Sequence, residues 1–534
     1  MKIKHMLLSS LAALIFIGAA AVPLPQLFVT SDQCISCHNG LISPKGEDVS
    51  IGGDWRSSMM ANASRDPYWH AAVRREILVR PTVSSAIQHE CSACHMPMTR
   101  YMAKIRDEKE SVFDHLPIMG AESDADLLAA DGVSCSMCHQ IRKDKLGEME
   151  SFTAGFVVDN GAPLGERKIY GPFDVDEGRK ALMRSSSQFQ PEKGDHIQSS
   201  ELCASCHTLF THALNDKGEV VGEIAEQAPY LEWKHSSYYR SQGCQSCHMP
   251  IVEGEMPVTG VMGKDRDQFS RHVFKGGNFL IPRILNKYRN ELGVKALPQE
   301  LDTTARRSAE HLESAAAKIS IKDVTVTDGR LCAEILVENL AGHKLPSAYP
   351  SRRAWIHFQV IDDQGNTLFE SGRLNPDGSI TGNDNDADKD RYEPHYTAID
   401  SPEQVQIYED IMGGPDGKVT TVLLTAVQYL KDNRMLPDGF DKSSAPEDVA
   451  VRGAAEADSD FQGGRDSVNY EVPVTGGPGP FTVQAELWYQ PIGYRWAHNL
   501  AQEEAFEIDR FVRYFKDFAD SSGIRLASVK KRID

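Results

Sequence analysis

The spacing of apolar positions changes near residue 318 and divides the chain into two parts. Before that point, apolar residues recur at helical spacing in short stretches such as 66–79 and 303–319, separated by loops that contain glycine and proline. Beyond it, the segment RAWIHFQVIDDQGNTLFESG (353–372) alternates apolar and polar residues on both sides of a turn, which is typical of paired strands. The pattern therefore predicts an α+β, multidomain protein.

The same pattern sets the expected domain boundaries. Residues 30–315 are expected to form a mainly helical, loop-rich domain without a strong strand pattern, and residues 318–500 an antiparallel β-sandwich. A helical stripe that contains Phe506, Phe511 and Phe515 predicts a helix at about 501–519. We assign 501–534 to this C-terminal helix and a tail.

The N-terminus carries the features of an export signal. Lys2 and Lys4 precede an apolar run, which ends in small residues near 19–21. We predict a signal peptide over 1–21, which places the mature chain in the periplasm or on the outer surface. An uncleaved N-terminal anchor is the alternative, because the run reaches the short edge of membrane-spanning length; no later segment approaches that length.

One short motif, Cys-x-x-Cys-His, occurs five times and uses ten of the eleven cysteines. The copies begin at irregular intervals, which excludes a repeat of fixed period. Cys-x-x-Cys-His is the attachment signature of c-type haem, in which two thiols form thioethers and the histidine binds iron. Zinc and disulfides also use paired cysteines, but five copies, each with histidine in the fifth place, argue against both.

The motifs predict five covalently bound c-type haems. The expected thioether residues are Cys34, Cys37, Cys91, Cys94, Cys135, Cys138, Cys203, Cys206, Cys244 and Cys247. The expected proximal iron ligands are His38, His95, His139, His207 and His248.

The sixth position on each iron separates an electron carrier from an enzyme. A second histidine gives a low-potential carrier, methionine raises the potential, and an open position admits substrate. The distal candidates lie in loops, beside motifs or near glycines, and for each a surface or structural role is the alternative. They are His115, His196, His212, His235 and His272, together with His343, which could reach a haem from the sandwich. Met59 or Met60 could serve the first haem instead.

The formal net charge of −19 narrows the range of partners. Such an acidic chain is disfavoured as a nucleic-acid binder, and it would be steered towards basic redox partner proteins. Solubility alone is the other explanation of the charge. The sequence leaves the oligomeric state open.

Two further features concern metals and thiols. Asp384, Asp386, Asp388 and Asp390 alternate in a polar segment and offer oxygen ligands suited to calcium, although the glycine and glutamate of an EF-hand are missing. A solvated acidic loop is the alternative reading of that segment. Cys332 lies in an apolar strand run and is expected to be a buried thiol.

With these residues in view, the N-terminal half resembles a superfamily of multihaem c-type cytochromes, the ammonia-oxidiser tetrahaem cytochromes and octahaem hydroxylamine oxidoreductases. The resemblance rests on the five motifs, on CHMP at 94–97 and 247–250, and on YLEWKHSSYYRSQGCQSCHMP at 230–250. It implies close-packed haem pairs, mostly bis-histidine ligation and electron transfer. The chain differs from these tetrahaem and octahaem proteins in having five motifs. It also has no Cys-x-x-Cys-Lys motif of the kind found in pentahaem nitrite reductases.

Three functions follow as expectations. The leading one is an exported pentahaem cytochrome that carries electrons between redox partners through closely packed haems. The second is an oxidoreductase in which one open-site haem acts on a small nitrogen or sulfur compound. The third is a subunit of an extracellular cytochrome assembly. Whether the protein is an enzyme stays open, with electron transfer favoured.

Overall fold

The computed structural model describes residues 26–474 and 479–533. The predicted signal peptide lies outside the described residues. None of the helices in the described part of the chain combines the length and the apolar character that a membrane crossing requires.

Helices dominate the first part of the chain, as the spacing of its apolar residues predicts. In chain order, the α-helices of the described residues are α1 Asp32–Ile35, α2 Ile51–Arg56, α3 Pro67–Val79, α4 Ser84–His95, α5 Pro97–Ile105, α6 Asp124–Ala130, α7 Cys135–Cys138, α8 Glu177–Ser187, α9 Ser200–His207, α10 Pro229–Lys234, α11 Cys244–His248, α12 Leu280–Lys287 and α13 Pro298–Ala315 in the first part, and α14 Asp384–Ala387, α15 Tyr494–Leu500 and α16 Phe506–Lys516 in the second. Most are shorter than four turns, so tertiary packing rather than intrinsic propensity holds them.

Strands occur in both parts of the chain. They are β1 Lys168–Gly171, β2 Gln190–Lys193, β3 Leu209–Leu214, β4 Val220–Gln227, β5 Met256–Pro257, β6 Asp265–Arg266, β7 Ala317–Thr327, β8 Arg330–Asn339, β9 Arg353–Ile361, β10 Thr367–Ser371, β11 Ala398–Ile399, β12 Ile407–Tyr408, β13 Asp410–Gly413, β14 Gln428–Asp432, β15 Arg465–Pro473, β16 Phe481–Gln490 and β17 Ile524–Ile533. The first six form three two-stranded sheets within the helical part, where the sequence pattern predicted no strands.

Two larger sheets face each other in the second part, and we call this pair of sheets the sandwich. One runs in the order β10-β9-β16-β17, with β12 also paired to β9, and the other in the order β11-β15-β8-β7. The rings of Phe358 on β9 and Tyr470 on β15 stack 3.8 Å apart in the shared core. The pairing is antiparallel except between β11 and β15, which run parallel. A mixed α+β fold is therefore observed.

The C-terminus differs from the predicted helix and tail. The helix is shorter than expected, Phe506–Lys516, and the chain then returns as β17, which pairs antiparallel with β16 from Phe481 to Tyr489. β17 is an edge strand and carries Lys530, Lys531 and Arg532, charges that discourage further strand pairing. Because of these charges, the sequence of β17 does not show the alternation of apolar and polar residues that would identify a strand.

A buried ionic network connects the two parts of the chain. Glu232 of α10 accepts hydrogen bonds from the backbone N–H of Lys344 (3.0 Å) and the hydroxyl of Ser347 (2.6 Å), and it lies 3.0 Å from Arg434. Lys344 and Arg434 each approach Asp432 to 2.7 Å. The side chains of Glu232 and Lys344 are fully buried. The network therefore fixes the loop that carries His343 against α10.

Candidate haem-binding site

Each Cys-x-x-Cys-His motif lies on, or at the end of, a short helix. The second and fourth motifs finish α4 and α9, the third and fifth form α7 and α11, and the first begins within α1 and continues past its end. In a helical turn, residues i, i+3 and i+4 share one face. The two cysteines and the histidine of each motif thus present their side chains to the same side.

The first four motifs share one cavity of about 1100 Å³. This volume exceeds the range of about 300–1000 Å³ that is usual for a pocket with one small ligand. All eight cysteines and four histidines of these motifs line it, as does His272. The fifth motif contributes its own Gln245 to the wall of the cavity, and Met249, which follows the motif, also lines it.

Backbone carbonyls orient four of the five motif histidines. The Nδ1–H groups of His38, His95, His139 and His248 donate to the carbonyls of Val258 (2.7 Å), Ala63 (2.8 Å), Tyr170 (2.7 Å) and Lys275 (2.5 Å). A proton on Nδ1 leaves the lone pair on Nε2, the arrangement that metal-binding histidines use. Burial lowers the pKa of His95 and of His248 to about 4, which keeps both rings neutral.

Two motif histidines face a second histidine at metal-bridging distance. The ring centres of His139 and His272 lie 6.2 Å apart at 22°, and those of His248 and His343 lie 6.3 Å apart at 11°. A metal–nitrogen bond of about 2.0–2.1 Å on each side, plus about 1.1 Å from each nitrogen to its ring centre, gives about 6.2–6.4 Å. Each pair of histidines could therefore hold one metal between them, so the residues present fit a haem iron at the third and fifth motifs.

His311 of α13 is a neighbour of the fifth motif that was not among the predicted ligands. Its ring centre lies 6.3 Å from that of His248, at 71°. The residue adjoins the apolar stripe of α13, formed by Leu301, Ala305 and Leu312. The sequence could have pointed to His311, because it shows a histidine beside an apolar helical stripe immediately before the predicted sandwich.

Four other predicted distal histidines have different surroundings. Both ring nitrogens of His115 lie 2.7 Å from carboxylates, those of Glu110 and Asp126, so contrary to the expectation neither is free for iron. His196 donates from Nε2 to the carbonyl of Ile141 (2.9 Å).

His212 and His235 also differ from the expectation. His212 lines the cavity from β3, but its Nε2 lies 2.9 Å from Glu223 and its side chain is half exposed. His235 is exposed and meets the ring of Phe440 edge-on at 6.1 Å. The structure does not place either ring opposite a motif histidine.

Neighbouring residues give the spatial order of the motifs. The thiols of Cys34 and Cys135 lie close enough for their interaction to lower the pKa of Cys34 and raise that of Cys135, so the first motif adjoins the third. The side-chain amide of Gln245 donates to the sulfur of Cys203 at 3.6 Å, and the backbone N–H of Cys244 donates to the hydroxyl of Ser200 at 3.1 Å, so the fourth motif adjoins the fifth. Burial and then the neighbouring Cys206 raise the pKa of Cys138 to about 12, so the third motif adjoins the fourth.

The second motif lies beside this row. Cys94 Sγ is 4.0 Å from the carbonyl oxygen of Cys206, in the fourth motif. The five motifs thus form a row in the order first, third, fourth, fifth, with the second as a branch at the fourth. Irregular sequence spacing could not have given this order.

The predicted calcium segment uses its carboxylates in other contacts. Asp384 pairs with Arg391, and Asp386 is buried 2.7 Å from Arg353. Asp388 accepts the backbone N–H of Asp390 at 3.0 Å. Two of the four carboxylates are therefore neutralised by arginines, and the structure does not gather the four for a calcium ion.

His395, Asp458 and Asp466 form a compact buried group in the sandwich. The side-chain amides of Gln406 and Asn433 donate to Nδ1 of His395 at 2.9 and 3.1 Å, so the ring proton lies on Nε2 and faces Asp458 at 3.0 Å. A protonated Nε2 has no lone pair for a metal. The group is best described as a hydrogen-bonded network.

Cys332, the cysteine outside the motifs, is exposed rather than buried. It lies on β8 between the buried Leu331 and Ala333. Successive side chains of a strand point to opposite faces, so the alternation of β8 turns this thiol outward. The expectation of a buried thiol was wrong.

No family model matches the chain, and no curated protein matches it. Its fold is similar to the crystal structure of a penta-heme cytochrome c552 from Thermochromatium tepidum. The TM-score is 0.50 and the identity 15%, over 95% of this chain and 100% of that chain. At this identity the similarity concerns the fold.

Proposed function

We propose that this chain is an exported pentahaem c-type cytochrome that carries electrons between redox partner proteins. The row of contacting motifs is the observation that carries the proposal. Haems attached to cysteines that contact one another would lie close together, and closely packed haems pass electrons. The fold similarity to a penta-heme cytochrome supports the same conclusion.

The protein's own residues would hold each group and set its potential. The ten motif cysteines would form the thioethers, and the five motif histidines would bind iron through Nε2. We propose His272 and His343 as the second ligands at the third and fifth motifs, because their rings stand opposite His139 and His248. Haem would supply reversible one-electron chemistry, and two imidazole ligands favour a low potential.

The sandwich would complete the site at the fifth motif. His343 lies in the loop after β8, and the contact of Glu232 with the N–H of Lys344 fixes that loop. Under this proposal the sandwich provides an iron ligand in addition to covering one end of the haem row.

Protein-film voltammetry of the purified chain tests the proposal. The expected result is a reversible current from several overlapping one-electron couples, without any added substrate. A film that shows current only when a substrate is added, or none at all from intact haem-loaded protein, would contradict an electron-carrying role.

A further inference from the structure

The fifth motif is the most exposed of the five. Cys247 is exposed to solvent, whereas the other nine motif cysteines are half-buried. Ser246, beside it in the motif, is exposed as well. Because the fifth motif ends the row, a haem held here would bring one end of the electron path to the protein surface.

The stretch of chain around this motif carries no acidic residue. The chain has 76 Asp and Glu among 534 residues, about one in seven, yet residues 233–252 contain none. The same stretch contains two exposed cations, Lys234 and Arg240. The net charge of −19 would steer the chain as a whole towards basic partners. Residues 233–252 are therefore a local exception to the acidic character of the protein.

The two cations face aromatic rings rather than carboxylates. The guanidinium carbon of Arg240 lies 4.9 Å from the ring centre of Tyr239, and Nζ of Lys234 lies 5.7 Å from the ring centre of Tyr230. Such cation–π contacts hold a charged group in place without neutralising it. Since neither cation forms an ion pair in the described part of the chain, both charges are available to a partner.

Charged groups from other elements leave the balance at this surface positive. Asp438 accepts a hydrogen bond from the hydroxyl of Ser237 at 2.6 Å, and Glu201 of α9 accepts one from the hydroxyl of Tyr230 at 3.3 Å. Lys275, whose carbonyl orients His248, adds a third cation, and its charge acts on the neighbouring His311. Three cations thus stand against two carboxylates, each of which is engaged by a hydroxyl.

The local structure presents these side chains beside the motif. The indole N–H of Trp233 donates to the carbonyl of Gln242 at 2.9 Å, and its ring meets that of Tyr239 edge-on at 5.1 Å. These contacts close residues 233–242 into a compact loop that ends directly before α11. Ile251, which follows the motif, is 49% exposed and adds an apolar contact. Tyrosine and arginine are the residue types enriched in protein interfaces.

We propose that an acidic redox protein docks on the surface formed by Lys234, Arg240, Cys247, Ile251 and Lys275, and that electrons enter or leave the haem row there. Carboxylates of the partner would pair with the three cations, beside the exposed Cys247. Each transfer moves one electron. When the partner donates, it loses one electron and one ferric iron of the row becomes ferrous, without transfer of a proton or a group. The inference rests on the proposed function, because it requires haem on the fifth motif.

Stopped-flow reduction of the haem-loaded chain by reduced flavodoxin, a strongly acidic electron carrier, tests this docking surface. The double variant Lys234→Glu/Arg240→Glu reverses two of its charges. At an ionic strength of about 0.01 M we expect flavodoxin to reduce it about tenfold more slowly than the wild type, because attraction becomes repulsion. The difference should disappear at about 1 M salt, where the Debye length is about 3 Å.

The matched control is Lys530→Glu/Lys531→Glu, which makes the same change in net charge on β17. These exposed lysines pair with Gln484 and Val483 of β16, whereas the other end of β16 reaches the helical part through the hydroxyl of Tyr489, which donates to the carbonyl of Gly277 at 2.9 Å. The control should be slowed by less than about twofold. Equal slowing of the two variants, or a Lys234→Glu/Arg240→Glu variant as fast as the wild type, would overturn the proposal.

Reduction by hexaammineruthenium(II), a small cation, is the second measurement. The Lys234→Glu/Arg240→Glu variant should react with it at least as fast as the wild type, since the new charges attract a cation. If this variant were slowed equally with both reductants, the loss would not depend on the partner's charge, and the proposal would be overturned. A wild-type chain that neither reagent reduces would count against the proposed function instead.

Discussion

Replacing Glu232 by glutamine should destabilise the contact between α10 and the sandwich. The wild-type network contains two buried cations, Lys344 and Arg434, and three carboxyl groups, of Glu232, Asp432 and Asp410. Burial raises the pKa of Asp410 to about 7, so this group is partly neutral near pH 7. The substitution removes one negative charge and leaves the two cations undercompensated.

The magnitude follows from the burial of the network. Breaking a buried ion pair by removing one partner costs about 3–5 kcal/mol. The glutamine keeps one acceptor oxygen for the N–H of Lys344 or the hydroxyl of Ser347, and Asp410 can ionise to restore part of the charge balance. We therefore expect a loss at the lower end, about 3 kcal/mol in the free energy of unfolding.

Urea unfolding at pH 7, followed by circular dichroism, measures this loss. The matched control is Glu310→Gln, which removes an exposed ion pair with Arg306 at 3.0 Å and should cost less than about 0.5 kcal/mol. A Glu232→Gln variant no less stable than Glu310→Gln would show that the charge of Glu232 does not stabilise the buried network. A selective spectral change at the fifth-motif haem is expected as well, because the network fixes the loop of His343.

Three further predictions concern ligands, pH and the free thiol. His272→Ala and His343→Ala should each convert one haem from low spin to high spin in electron paramagnetic resonance, whereas His235→Ala should convert none; low-spin spectra in both of the first two would rule them out as ligands. His115 has its pKa raised by its hydrogen bonds with Glu110 and Asp126, which outweigh its burial. Its contribution to stability is therefore fully present below the unfolded pKa of about 6.5 and is lost as pH rises through the higher folded pKa. Accordingly His115→Gln should cost about 1 kcal/mol at pH 6 and less at pH 9 by urea unfolding, and an equal cost at both values would contradict the ion pairs. A thiol reagent should label one cysteine per haem-loaded chain, and Cys332→Ser should abolish the labelling; a second labelled thiol would mean an incomplete thioether.

The sequence predicted the residues that make up each haem motif better than it predicted the order of the motifs in space. The fixed spacing within each motif is enough to place its two cysteines and its histidine on one side, because a single helical turn brings them together. The alternation in 353–372 likewise predicted β9 and β10, since a tight turn sets the pairing of neighbouring strands. The interaction of the Cys34 and Cys135 thiols depends on tertiary packing over about a hundred residues, for which the sequence has no local signal.

Errors in the sequence-based expectations have physical causes. β17 was missed because charged residues occupy its exposed positions, and the three small sheets were missed because strands of two to eight residues give little alternation. Among the distal candidates, His115 lies in a loop as expected, yet neighbouring carboxylates engage both of its nitrogens. A histidine's partners are decided by packing, which spacing along the chain does not report.

A coulometric redox titration of the purified, haem-loaded chain is the most direct test of electron transfer through five haems. We expect each chain to accept five electrons and to return all five to an oxidant, with every electron accompanied by the absorbance change of a c-type haem. Fewer than five electrons per chain, or motifs occupied by a metal that exchanges no electrons, would contradict it.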